Sequence, residues 1–221
     1  MKKTICAAAA AALILTSCMS APETIRVEQQ INSEEIAGKN IAVARAHISE
    51  WVLPVFPLID AGIFKAVVYE HYESYSEEQR SAEEAFTETL SRQLSGSFGL
   101  TAVNAGTCGD GTAFDIYEAD EDGRCELAAE ICRDAGTELS ALLVVQPETV
   151  SVGYFGTSSG TRTVGRLYLY DRNGMLIAKA AYRQPAKNVR AGNIEDYRCV
   201  LIESEDYVTE MTEALLGKEG G

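Results

Sequence analysis

The chain has 221 residues, and its 33 Asp and Glu against 19 Lys and Arg give a formal net charge of −14. So acidic a surface repels nucleic acid and anionic headgroups and favours basic partners or bound cations. About 200 residues suffice for one domain burying roughly 70% of its unfolded surface. After the first eighteen residues, no apolar run is long and uncharged enough to span a membrane as a helix.

The chain starts with a basic Met1-Lys2-Lys3, followed by eleven apolar residues from Ile5 to Leu15 and then Leu15-Thr16-Ser17-Cys18. A basic end, a short apolar core and small residues before a cut describe a secretory signal over 1–17. The closing four residues resemble the lipobox of bacterial lipoproteins. That resemblance implies cleavage before Cys18, a diacylglyceryl group on its thiol, and an acylated (palmitate-bearing) protein held at the membrane. More than one acyl chain makes such anchoring effectively stable. Met19, rather than Asp, follows the cysteine, which by the same resemblance implies the outer membrane, facing the periplasm. Loss of Lys2 and Lys3 with the signal deepens the charge to −16.

Residues 18–38 are polar without clear period and read as a lipidated tether, although Thr24-Ile25-Arg26-Val27 alternates like a short strand. The domain is expected over 39–216, with an insertion at 47–75. Asn40 to Ala46 reads as a buried first strand. Trp51 to Tyr69 holds the only tryptophan, two prolines and just two charges. Pro54, Pro57 and Gly62 argue against a single spanning helix there. The stretch is a lid on the core, a partner-binding surface built on Trp51, Phe56, Phe64, Tyr69 and Tyr72, or a membrane-inserting segment.

Ser76 to Leu94 is the clearest helix, with Ala82, Phe86, Leu90 and Leu94 along one face and glycines at 96 and 99 to stop it. A short strand follows at Leu100 to Val103. Asn104 to Arg124 is an acidic loop, and Glu118-Ala-Asp120-Glu-Asp122-Gly123 resembles the start of a calcium loop. Its first position is Glu and its twelfth is Ala129, which departs from that pattern. A solvated acidic turn is the better reading, and no metal site is expected. A second helix runs from Glu126 to Gly136, and Ser140 to Gln146 reads as a central strand, with a bend or an edge at Pro147. Val150 to Tyr154 and Arg162 to Tyr170 flank a turn at 156–160. Asp171-Arg-Asn-Gly174 signals a hairpin into a last strand at 175–183, and 194–216 has helical spacing.

Four cysteines besides Cys18 lie beyond the signal: Cys108, Cys125, Cys132 and Cys199. In an extracytoplasmic protein an even number suggests disulfides. Cys125 and Cys132 stand about 10 Å apart along a helix, beyond the ~7 Å that a disulfide tolerates. The pairs are then Cys108–Cys125 with Cys132–Cys199, which closes a local loop and is preferred, or the crossed alternative.

The expected class is α/β (α+β): one mixed β-sheet with helices packed on one side of it, in the order β-α-β-α-β-β-β-α. That order, with Ala135-Gly136 before Ala141-Leu-Leu-Val-Val145 and Leu167-Tyr-Leu-Tyr-Asp171 before Asn173-Gly174, resembles the small α/β domain shared by the N-terminal domain of TolB, the lipoprotein activators of penicillin-binding proteins and the curli-secretion lipoproteins. The resemblance implies a binding or adaptor lipoprotein that docks another envelope protein. The alternative is a subunit of an oligomeric outer-membrane secretion channel. Neither of the two histidines, His47 and His71, has a companion motif for general-base work. No enzyme activity and no cofactor are expected.

Overall fold

The computed structural model describes residues 25–49, 76–105, 117–152, 158–187 and 194–217. Among these the chain runs β1 (Ile25–Gln29), α1 (Ser33–Ile36), β2 (Asn40–Val43), β3 (His47–Ile48), α2 (Ser76–Phe98), β4 (Thr101–Asn104), α3 (Glu126–Ala135), β5 (Leu139–Val152), β6 (Ser158–Asp171), β7 (Leu176–Arg183) and α4 (Ile194–Leu215). The strands form one sheet in the order β1-β7-β6-β5-β2-β4, and β3 also pairs with β5. β2 is parallel to both β4 and β5, and β3 is parallel to β5. β5, β6, β7 and β1 are antiparallel in turn. The fold is therefore α/β with a single mixed sheet, as its sequence pattern indicates.

The helices lie on both faces of that sheet rather than on one. Phe86, Leu90 and Leu94 of α2 and Leu201, Val208, Met211 and Leu215 of α4 pack with Ile41, Val43, Ala141, Leu143 and Leu167 in one core. Ala128 of α3 packs with Leu142, Val144, Tyr168 and Tyr170 in a second. Crossover handedness requires this. The β2–α2–β4 connection steps outward along the sheet and β4–α3–β5 steps back, so two right-handed crossovers place their helices on opposite faces.

Several boundaries also differ from the sequence pattern. β1 is not tether: it pairs antiparallel with β7, Ile25 opposite Tyr182, because Ile25 and Val27 have apolar surface to bury against the core. The sheet thus begins seven residues after Cys18. His47 and Ile48 belong to the sheet, so the insertion follows Ser49. α2 continues through Gly96 to Phe98 and ends at Gly99, whose φ of 67° is the left-handed conformation that closes helices. β5 passes straight through Pro147. Opposite it, Thr163 turns its N–H and C=O to Gln184, so the missing proline N–H faces the side where β3 has ended and no ladder bond is lost. Ser158 to Gly160 lie in β6 rather than in a turn. α3 ends at Gly136 and the 171–174 turn forms around Asp171, both where the sequence puts them.

Candidate functional site

The parallel half of the sheet has a feature that the antiparallel half lacks. From the carboxyl end of β2 the chain leads through β3 to α2 on one face, and from the adjacent β4 it leads to α3 on the other. In open α/β sheets the crevice outside two such strands is where ligands bind.

Here the strand carries an extra residue. Val43 pairs with Ala141 and His47 with Val144, so four residues on one strand answer three on the other. Bulges of this kind re-aim side chains and recur beside functional sites. Beyond it Ala46 and Ile48 enter the apolar core, while Arg45, His47 and Ser49 occupy the intervening positions. Each of these three has a buried polar atom with no hydrogen-bond partner among the described residues: Arg45 Nε, His47 Nε2 and Ser49 Oγ. Ser49 is only 4% exposed. Buried polar groups are almost always bonded, and leaving one unmet costs about 1–3 kcal/mol.

The backbone groups between them are bonded. The outward backbone N–H of Ala46 donates to Thr87 Oγ1 at 2.8 Å, and that of Ile48 to Glu83 Oε1 at 3.1 Å. Two side chains of α2 thereby close the free edge of β3. Glu83 also holds Arg45 Nη2 at 3.2 Å through its second oxygen. The His47 ring stacks on Tyr117 with centroids 5.6 Å apart. Burial pushes the imidazole below its ordinary pKa, against the opposing pull of Glu83, so the ring is neutral near pH 7. Guanidinium, neutral imidazole and hydroxyl can together give to, and accept from, an incoming polar group. The flank of the site is β4, whose Thr-Ala-Val-Asn edge has no charge to discourage another strand, with Val103 38% exposed.

Of the residues that the sequence marks for partner binding, Trp51, Phe56, Phe64, Tyr69 and Tyr72 lie outside the described residues, as do the lipidation site Cys18 and Cys108. Arg45, Ser49, Tyr117 and Glu83 have no signature of their own. The one available signal is polar residues at 45, 47 and 49 alternating with apolar ones, which the sequence pattern divides between the first strand, ending at Ala46, and the insertion from 47. The acidic turn is explained without a cation: Asp120 Oδ1 accepts from the backbone N–H of Asp122 and Arg124, and Glu118 Oε1 from Arg166 Nη1 and Tyr168 Oη. Among the described residues, no group of three His, Cys, Asp or Glu is placed to hold a metal.

Cys125 and Cys132 are both buried on the α3 face, and no disulfide is present among the described residues. Cys132 Sγ lies 3.8 Å from the Asp171 carbonyl oxygen, and burial pushes the Cys125 thiol pKa up. Cys199 belongs to α4.

No protein-family model and no curated protein matches the chain. Among solved structures it is similar to the PelC dodecamer from Paraburkholderia phytofirmans, at 13% identity and a TM-score of 0.37, covering 87% of this chain and 96% of that one. It is also similar to the hypothetical protein CT253 from Chlamydia trachomatis, at 11% identity and a TM-score of 0.45, covering 83% of this chain and 100% of that one. Similarity this distant carries no argument about what the chain does.

Proposed function

We propose that the chain is a lipid-anchored envelope lipoprotein, held through Cys18, that docks another envelope protein at the carboxyl end of its parallel strands. The row of polar atoms on Arg45, His47 and Ser49 that are unmet among the described residues supports this reading most. A free domain gains nothing by burying them, whereas a partner that supplies hydrogen bonds repays their desolvation on docking. The uncharged edge of β4 beside them offers backbone groups to an added strand.

Photo-crosslinking in intact cells tests this. A photoreactive residue at Val103 should capture one defined protein, and the same residue at Glu210, exposed on α4, should not. Loss of that adduct on replacing His47 and Ser49 would tie it to the site. Equal capture from both positions would overturn the proposal. The anchor is tested separately: Cys18→Ala should leave the membrane fraction.

A further inference from the structure

The charge on this molecule is not evenly spread. β6 and β7 run side by side for much of the length of the domain, and their two ends differ in sign. At the 171–176 end, the acidic turn is fastened to the hairpin by Leu176 N–H to the Gly123 carbonyl at 3.0 Å and Cys125 N–H to the Gly174 carbonyl at 2.8 Å. This gathers Asp120, Glu121, Asp122, Glu126 and Asp171, with Arg124 and Arg172 between them.

The opposite end of β7 is about 24 Å away, counting ~3.4 Å per residue from Leu176 to Arg183. There stand Arg26, Arg162, Arg183 and Lys187. Arg162 is paired with Glu148 at 2.8 Å and Lys187 with Glu203. Arg26 and Arg183 are exposed and have no ion-pair partner among the described residues. They share one face: Arg26 pairs with Ala181, two residues from Arg183, while Ile25, Val27, Ala180 and Tyr182 turn to the core. In a chain of net charge −14, these two arginines form a small basic patch on the sheet face away from α4, whose Glu203, Asp206 and Glu210 lie around Tyr207 on the other face.

Ile25 lies opposite Tyr182 at this same corner, and seven residues of chain reach at most about 25 Å back to Cys18. An anchor at Cys18 thus keeps the basic corner within about 25 Å of the bilayer, without fixing how the domain is turned. We propose that Arg26 and Arg183 seat this corner of the sheet on anionic lipid headgroups, with the 120–126 turn directed away from the membrane. Attraction at one end and repulsion at the other orient the domain together, although neither would bind it to a membrane unaided. The proposal rests on the Cys18 anchor. Its effect would be to hold the β4 edge, at the far side of the sheet, clear of the lipid for docking.

The test imposes the tether, so that it does not depend on lipidation in the cell. The chain from Met19, with an N-terminal hexahistidine in place of Cys18, is bound to nickel-chelating lipid. The vesicles are of phosphatidylcholine, with or without phosphatidylglycerol. A donor fluorophore at Glu121 and acceptor-labelled headgroups report the distance. Energy transfer should fall when phosphatidylglycerol is present. That fall should vanish in the Arg26→Gln/Arg183→Gln variant and in ~1 M salt, where the screening length shrinks to about 3 Å. Equal transfer on neutral and anionic vesicles, or a response that survives in the variant, would overturn the proposal. The mass of the N-terminal peptide from cells reports separately whether Cys18 is acylated.

Discussion

Gly174 packs directly on the backbone carbonyl of Cys125, so that a Cβ at 174 would collide with it. This contact sets the start of α3 against the β6–β7 turn and thereby fixes where the second helical layer sits on the sheet. Gly174 has a φ of 76°, so a side chain there is strained as well as obstructed. Gly174→Ala should lower stability by about 2–4 kcal/mol, measured as a shift of the urea midpoint. A change within ~0.5 kcal/mol would show that the helix and the turn separate easily.

Gly165 has a conventional backbone conformation but no space. A Cβ there would enter the ring of Tyr182, which is fully buried, stacks on Tyr207 at 5.3 Å and has its phenol pKa pushed up to about 12 by burial. Gly165→Ala should displace that ring and destabilise the domain by about 1–3 kcal/mol. Gly165→Ala with Tyr182→Leu should recover part of the loss, a coupling that a double-mutant cycle in urea can read.

A buried polar chain joins α4 to the hairpin. Thr163 Oγ1 donates to Gln184 Oε1 at 3.1 Å and lies 2.5 Å from Ser204 Oγ, and Gln184 Nε2 donates to Glu203 Oε2. Thr163→Val keeps the shape but deprives Ser204 and Gln184 of their shared partner. The expected cost is about 1–3 kcal/mol, with faster hydrogen exchange at the end of β7, where Gln184 N–H donates to the Thr163 carbonyl.

His47 gives stability a pH dependence of determined sign. Its pKa is lowered in the fold by burial, so between that value and the ordinary 6.5 the unfolded chain binds more protons than the folded one. This contribution is complete above pH 6.5 and is lost as pH falls through the folded value. His47→Gln should flatten the slope of unfolding free energy against pH just below 6.5. An unchanged slope would mean that the imidazole is as free to protonate in the fold as outside it.

Local signals account for what the sequence made legible. Apolar residues every fourth position in α2, the closing Gly136 of α3 and the Asp171 turn each act within a few residues of themselves, so the class and the succession of elements from α2 to α4 could be read directly. The assignment of helices to faces could not, because it depends on crossover handedness across separate elements. β1 was obscured because five residues of mixed polarity become a strand only when β7 supplies the partner. The site was harder still. Arg45 looks like the polar end of the first strand, and His47 and Ser49 like the entry to an insertion, until the bulge in register and the burial of their polar atoms are seen together.

Ser49 tests the central claim most directly, through stability and docking in one variant. If its buried hydroxyl waits for a partner, Ser49→Ala removes an unmet group. The free domain should then gain roughly 1 kcal/mol in urea unfolding, while the protein captured from Val103 in cells diminishes. A variant that is less stable, or that is captured as efficiently as the parent chain, would contradict the account.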